Sequence, residues 1–207
     1  MSKQISLDLI IKAIISSIEQ AQEDYESWSG GDWLWNAPEY LLTTSIAKSI
    51  WSIDGSKLIT LEHNTKGVMG DAGAITRGRI PKKARPDGRV DIILWRANGE
   101  PRGVIEVKNQ VRSYSGISGD VERIDKILHK NHNYSSFQFG CIAFYTSAKT
   151  DKNGSALEKL KKTFESIKKS AQKRESEIIK VQLHKSDIHS AEDSAWATAC
   201  LVFKKTS

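Results

Sequence analysis

Arg89-Val90-Asp91-Ile92-Ile93-Leu94-Trp95 and Gly103-Val104-Ile105-Glu106-Val107-Lys108 are two apolar runs joined through Ala97-Asn98-Gly99-Glu100. Runs rich in β-branched residues and bounded by turn formers predict strands, and Asn-Gly between them is the strongest short hairpin signal. With Asn98-Gly99 as a two-residue turn, Ala97 faces Glu100 and opposed residues have numbers summing to 197. Asp91 then lies directly opposite Glu106. Such pairs share a face with Cβ atoms about 4.5–5.5 Å apart, and Lys108, two residues beyond Glu106, projects from that face as well. The other face collects Val90, Ile92, Leu94, Ile105 and Val107, the apolar cover that a core requires.

Directly opposed carboxylates repel, so the pairing costs stability unless a cation sits between them. Mg²⁺ prefers hard oxygen ligands of this kind. A metal held by two carboxylates lowers the pKa of an attacking water and neutralises charge on a phosphoryl group, while Lys108 adds a positioned positive charge. The plainer alternative is a surface strand pair with an ordinary Glu-Lys ion pair. Against it, Ile92-Ile93-Leu94 and Val104-Ile105 are apolar on both faces, which suits a central hairpin where unpaired charge is costly.

Outward from the hairpin, Leu9, Ile10, Ala13, Ile14, Ile18 and Ala21 recur at helical spacing, predicting a helix over residues 5–27 that ends at Gly30-Gly31. Pro38 suits a first helical turn, so Glu39 to Trp51 reads as a second helix with Glu39 near its start. Leu58 to Glu62 reads as a strand, and Gly67 to Gly88 as a long glycine-rich basic loop. After the hairpin come a helix from Asp120 to Leu128 and a buried strand from Phe137 to Thr146. A basic helix from Ser155 to Arg174 and strand-like runs at Glu177–Leu183 and Trp196–Phe203 complete the chain. Trp28, Trp33, Trp35 and Trp51 surround the second helix and read as packing residues, with stacking on single strands as the other use of such rings.

Asp91, fourteen intervening residues and Glu106-Val107-Lys108 resemble the motif of the PD-(D/E)xK, or restriction-endonuclease-like, nuclease superfamily. The resemblance implies an α/β fold with an αβββαβ core, a mixed β-sheet flanked by helices, over about residues 39–146. The N-terminal helix (about 5–27) and a C-terminal helix plus strands (about 153–205) are then elaborations of a single domain spanning 1–207. It further implies that the Val107 carbonyl joins Asp91 and Glu106 in holding Mg²⁺, with Mn²⁺ able to substitute. Glu39 occupies the place of a glutamate that many members carry on the helix before the first core strand, there helping to hold the metal directly or through water. Glu62 is a weaker candidate for that corner, and Pro86-Asp87 is a literal "PD" lying several residues before the apolar run. The helix from Asp120 lacks the Gln-x-x-x-Tyr pattern of the recombination-exonuclease branch.

The 207 residues carry 31 Lys+Arg against 25 Asp+Glu, a formal charge of +6 that permits a polyanionic partner. Six basic residues, Arg77, Arg79, Lys82, Lys83, Arg85 and Arg89, crowd one short segment and are expected to contact phosphates. The second group, along Lys159 to Arg174, reads as a solvated helix face. No apolar run approaches the ~20 residues of a membrane span, and the N-terminus has no clean signal-peptide pattern. Cys141 and Cys200 sit in apolar runs and read as buried thiols, consistent with a reducing cytoplasm. His129 and His132 lack partners at zinc-site spacing. The expected protein is a Mg²⁺-dependent nuclease, chiefly a DNA endonuclease of restriction, phage defence or mobile-element processing. Self-association or a partner subunit would supply what one site lacks. A non-catalytic nucleic-acid-binding or assembly subunit and an RNA-cleaving toxin are the alternatives.

Overall fold

The computed structural model describes residues 4–55, 57–75 and 79–206. The chain begins with α1 (Leu7–Ser29), capped by the Ser6 hydroxyl accepting from Leu9 N–H and ended by Gly30 in the left-handed region at φ +77°. A single 3-10 turn, Leu34–Asn36, leads into α2 (Glu39–Trp51), whose N-cap is Pro38. Next come β1 (Leu58–Asn64), α3 (Thr65–Asp71), β2 (Arg89–Trp95) and β3 (Pro101–Lys108). They are followed by α4 (Ser118–His129), β4 (Phe139–Lys149), α5 (Ala156–Gln172), β5 (Ile179–Lys185), β6 (His189–Ala191) and β7 (Ser194–Lys205).

The strands form one mixed sheet in the order β1-β2-β3-β4-β7-β5, with β6 also paired to β7. Only β3 and β4 run parallel, joined by the α4 crossover; the other pairs are antiparallel. Both faces are covered. Ile10, Ile14, Ile18, Leu42 and Ile46 of α1 and α2 pack on Ile92, Ile105, Val107 and Tyr145. On the opposite face Val121, Ile124, Leu160, Phe164 and Ile167 of α4 and α5 pack on Ile93, Val104, Ile142 and Phe144. The chain is therefore α/β, with helices on both sides of a mixed sheet. Cys141 and Cys200 are buried free thiols, and no helix among the described residues is long and apolar enough to cross a membrane.

The hairpin turn differs from the two-residue form expected, although the register it produces from Leu94–Gly103 to Ile92–Ile105 does not. Arg96 N–H donates to Glu100 C=O at 2.9 Å, so the turn holds three residues, Ala97, Asn98 and Gly99, with Gly99 at φ +81°. Pairing beside the turn accordingly sums to 196 (Trp95–Pro101), and a bulge beyond Leu94 restores 197 at Leu94–Gly103, Ile93–Val104 and Ile92–Ile105. The two one-residue departures cancel before the register reaches Asp91.

Three other expectations change. The segment 67–88 is not one long loop, because Asn64 caps α3 by accepting from Gly67 N–H at 3.0 Å, and residues 82–84 form a further 3-10 turn. Val90 packs in the cluster under α4 rather than with Ile92, so strict alternation fails at the start of β2. Of the tryptophans around α2, Trp33 packs partly buried against the core under α1 and α2, whereas Trp28, Trp35 and Trp51 are 67, 39 and 60% exposed.

Candidate active site

At the C-terminal end of β3 the ladder with β2 runs no further than Ile92–Ile105, and Val107 N–H is taken instead by Asp91 Oδ2 at 2.6 Å. That hydrogen bond fixes the Asp91 carboxylate beside the β3 backbone. Burial raises its pKa, opposed by the Val107 N–H and the Lys108 charge, while Glu39 and Glu62 push it further up. Glu106 is only 2% exposed, and burial, against the pull of Arg123 and with the repulsion of Asp91 and Asp120, pushes its pKa up to about 8.

The partner of Glu106 comes from α4. Arg123 Nη1 lies 2.7 Å from Glu106 Oε1, with both side chains 3% exposed. The approach is close enough for charge attraction but outside hydrogen-bonding direction, and Glu106 Oε1 and Arg123 Nε have no hydrogen-bond partner among the described residues. Arg123 is steadied by donating through Nη2 to Thr65 Oγ1 at 2.5 Å, and Thr65 in turn donates through both N–H and hydroxyl to Gly88 C=O.

Lys108 Nζ bridges two helices. It donates to Glu39 Oε1 at 3.2 Å and lies 4.0 Å from Asp120 Oδ2. Burial lowers its pKa, yet the Asp120, Glu39 and Asp91 charges more than offset that, leaving it raised and the ammonium charged. The second Glu39 oxygen accepts from Asn109 N–H at 3.0 Å. The Asn109 amide donates to the carbonyls of Leu34 and Ala37, tying the segment before α2 to the end of β3. Non-glycine residues with φ near +50° flank this corner at Glu62 (52°), Arg85 (51°) and Gln110 (57°). Strained backbone of that kind collects at functional sites.

The structure thus brings together Asp91, Glu106, Lys108 and Glu39. Glu39 enters with both oxygens occupied by Lys108 and Asn109. Glu62 reaches the corner electrostatically, whereas Asp87 of the literal "PD" is an exposed loop residue. The basic segment divides. Lys83 pairs with Glu122 at 2.5 Å and Arg85 with Asp120 at 3.0 Å, so both lean on α4 while their side chains stay 65% and 51% exposed. Arg79, Lys82 and Arg89 are exposed, and Arg77 lies outside the described residues. His129 is held by Asp125 at 3.1 Å.

Sequence reasoning missed Asp120, Arg123 and Asn109. A signal existed for the first two: at spacings of three and four they border Ile124 and Ile127 on the buried side of α4, where an unpaired charge is costly. Nothing in the sequence marked Asn109.

No group of three or more His, Cys, Asp and Glu side chains stands ready to hold a metal among the described residues. The donors present are Asp91 and Glu106, with the Val107 main chain beside them. Two desolvated carboxylates, one with an oxygen lacking any hydrogen bond, fit a hard cation that takes one or two protein carboxylates and leaves its other positions to water or phosphate. No protein-family model matches the chain, and neither curated proteins nor solved structures give a match.

Proposed function

We propose that the chain is a divalent-metal-dependent nuclease of the PD-(D/E)xK type. The observation that carries the reading is the convergence of a buried carboxylate, Glu106, and a partly buried one, Asp91, with a charged lysine, Lys108, at one end of a central strand. The order α2-β1-β2-β3-α4-β4, with a small additional helix α3 and a parallel β3–β4 pair, supports the restriction-endonuclease-like core that the motif suggests.

Asp91, Glu106 and the Val107 carbonyl would hold Mg²⁺, which when bound activates water and offsets charge on the phosphoryl group. Asp91 is oriented for this by the Val107 N–H, and Glu106 by its place opposite Arg123. Glu106 gives up the proton that burial favours when a cation replaces it. Lys108 remains protonated and directs its ammonium toward the phosphate oxygens or the attacking water. Glu39 is a positioning residue, fixing Lys108 through one oxygen and Asn109 through the other. The charge balance and the exposed Arg79, Lys82 and Arg89 favour a nucleic-acid substrate, and DNA is the one proposed, by analogy with the family.

One observation favours a second reading. Arg123 already faces Glu106 at 2.7 Å without any metal ion, as expected of a nucleic-acid-binding subunit that does not cut. Supercoiled plasmid, linear duplex, single-stranded DNA and RNA, each with Mg²⁺, Mn²⁺ or EDTA, separate the two when Lys108→Ala runs alongside as the contamination control. Metal-dependent cutting lost in the variant supports the nuclease and names its substrate; binding without cutting of any substrate supports the second reading.

A further inference from the structure

Beside the candidate site lies a groove of about 730 Å³, within the about 300–1,000 Å³ of typical ligand sites. Trp33 and Trp35 form one wall, α5 with Lys162 the other, and Gln110, Arg112 and Lys149 line it as well. A second cavity of about 550 Å³ shares Trp33, Trp35 and Lys149 but is lined also by the acidic Asp32, Glu192 and Asp193, so the first groove is the one suited to a polyanion. Asn109 connects groove and site, since its amide holds the Leu34 and Ala37 carbonyls around the short turn that carries Trp35, while its N–H holds Glu39.

Two features of this groove are unexplained by folding. Trp35 is 39% exposed, and neither it nor Trp33 stacks on another aromatic ring among the described residues. Arg112, Lys149 and Lys162 are exposed and have no acidic partner among the described residues, whereas neighbouring Lys159 is held by Asp151 at 2.6 Å. An exposed indole ring, that of Trp35, beside such cations matches a backbone that carries negative charge and bases with free faces. Bases inside a duplex are already stacked on their neighbours, so they cannot offer a face to a side chain without being extruded.

We propose that the Trp33–Trp35 groove binds an unpaired nucleotide next to the scissile phosphate, so that the preferred substrate is single-stranded or carries a single-stranded tail. Trp35 stacks on the base and Arg112, Lys149 and Lys162 bind the flanking phosphates. The inference rests on the nuclease reading for its position relative to the cut, but binding can be measured without cutting.

Fluorescence polarisation in EDTA, with labelled single-stranded DNA, blunt duplex and a tailed duplex, tests it. Trp35→Ala should weaken binding of the single strand and the tailed duplex by about 5- to 150-fold and leave the blunt duplex unchanged. Trp35→Phe, which keeps a ring, should retain most of the affinity, and a melting curve checks that both variants fold. Arg112→Ala should lower single-strand affinity and flatten its salt dependence. A wild-type protein that binds no single strand, or a Trp35→Ala variant that binds all three substrates like wild type, overturns the groove assignment. Groove-dependent binding with no metal-dependent cutting overturns the nuclease reading alone. Cutting with Trp35 irrelevant to binding overturns the groove alone.

Discussion

Glu106 and Arg123 meet 2.7 Å apart in the interior, both 3% exposed, one on β3 and the other on α4, the helix that crosses from β3 to its parallel neighbour β4. The pair holds the carboxylate in a charged environment that still favours its protonated form, with a pKa pushed up to about 8. A carboxyl whose pKa is raised on folding binds protons more tightly in the native state. Its favourable contribution is therefore complete below the ordinary 4.5 and lost as pH rises through about 8. In EDTA, thermal stability should fall across that window, with Asp91 adding in the same direction at its lower end. Glu106→Gln, which mimics the protonated carboxyl, should flatten the fall. Melting temperatures followed against pH for both proteins check this, and a variant curve parallel to wild type would discard the assignment.

Divalent metal should reverse that trend, because ligand carboxylates must lose their protons to bind a cation. Mg²⁺ or Mn²⁺ should raise the melting temperature more at pH 8 than at pH 6, and Glu106→Gln or Asp91→Asn should remove most of the shift. Equal stabilisation at both pH values, or undiminished stabilisation in the variants, would place any metal elsewhere.

Lys108 and Glu39 should separate by size of effect. Removing the ammonium with Lys108→Ala should lower the cleavage rate by about 10²–10³-fold while DNA affinity holds. Glu39→Gln should cost less, about 10–100-fold, because it acts through the orientation of Lys108 and Asn109. Single-turnover rates measure both. The order would be inverted were Glu39 itself essential to holding the metal.

Gly140 sets how closely α4 approaches the sheet. A Cβ there would lie 2.4 Å from Ile124 Cγ2, so Gly140→Ala must push away the helix that carries Asp120 and Arg123. The expected loss is about 1–3 kcal/mol of stability, together with reduced activity, and adding Ile124→Ala should relieve the clash at the cost of a cavity. Denaturant unfolding of the single and double variants reads the coupling, which independent effects would not show.

Much of this arrangement was legible because apolar alternation and turn chemistry are local. The hairpin pattern gave the register that the structure shows from Leu94–Gly103 to Ile92–Ile105 even though the turn has three residues, since the bulge beyond Leu94 compensates, while Asp91 itself leaves the ladder to accept from Val107 N–H. Helical spacing located α1, α2, α4 and α5 to within a few residues. What stayed hidden depends on neighbours distant in sequence. Arg123 meets Glu106, Arg85 meets Asp120 and Asn109 meets Leu34 only after the crossover and the N-terminal turn are packed. Those same interactions tie Lys83 and Arg85, two of the expected phosphate ligands, to acids of α4. The short α3 escaped notice because its three-glycine neighbourhood mimics a loop, and the cap from Asn64 is what starts it.

The division of the basic segment has its own consequence. Replacing Arg79, Lys82 and Arg89 together should weaken DNA binding and reduce its salt slope by about 0.9 for each phosphate that the variant no longer neutralises, whereas Lys83→Ala should leave the slope unchanged. Affinity measured across a salt series distinguishes them, and identical slopes for both variants would remove this segment from the interface.

The most direct measurement is single-turnover cleavage of labelled DNA in Mg²⁺ by wild type and Asp91→Asn, with binding of each to the same DNA followed in EDTA. A nuclease centred on Asp91 should cut as wild type, fail to cut as Asp91→Asn, and bind equally well in both forms. Cutting that persists in Asp91→Asn, or bound DNA left intact by wild type with Mg²⁺ and Mn²⁺ alike, would contradict it.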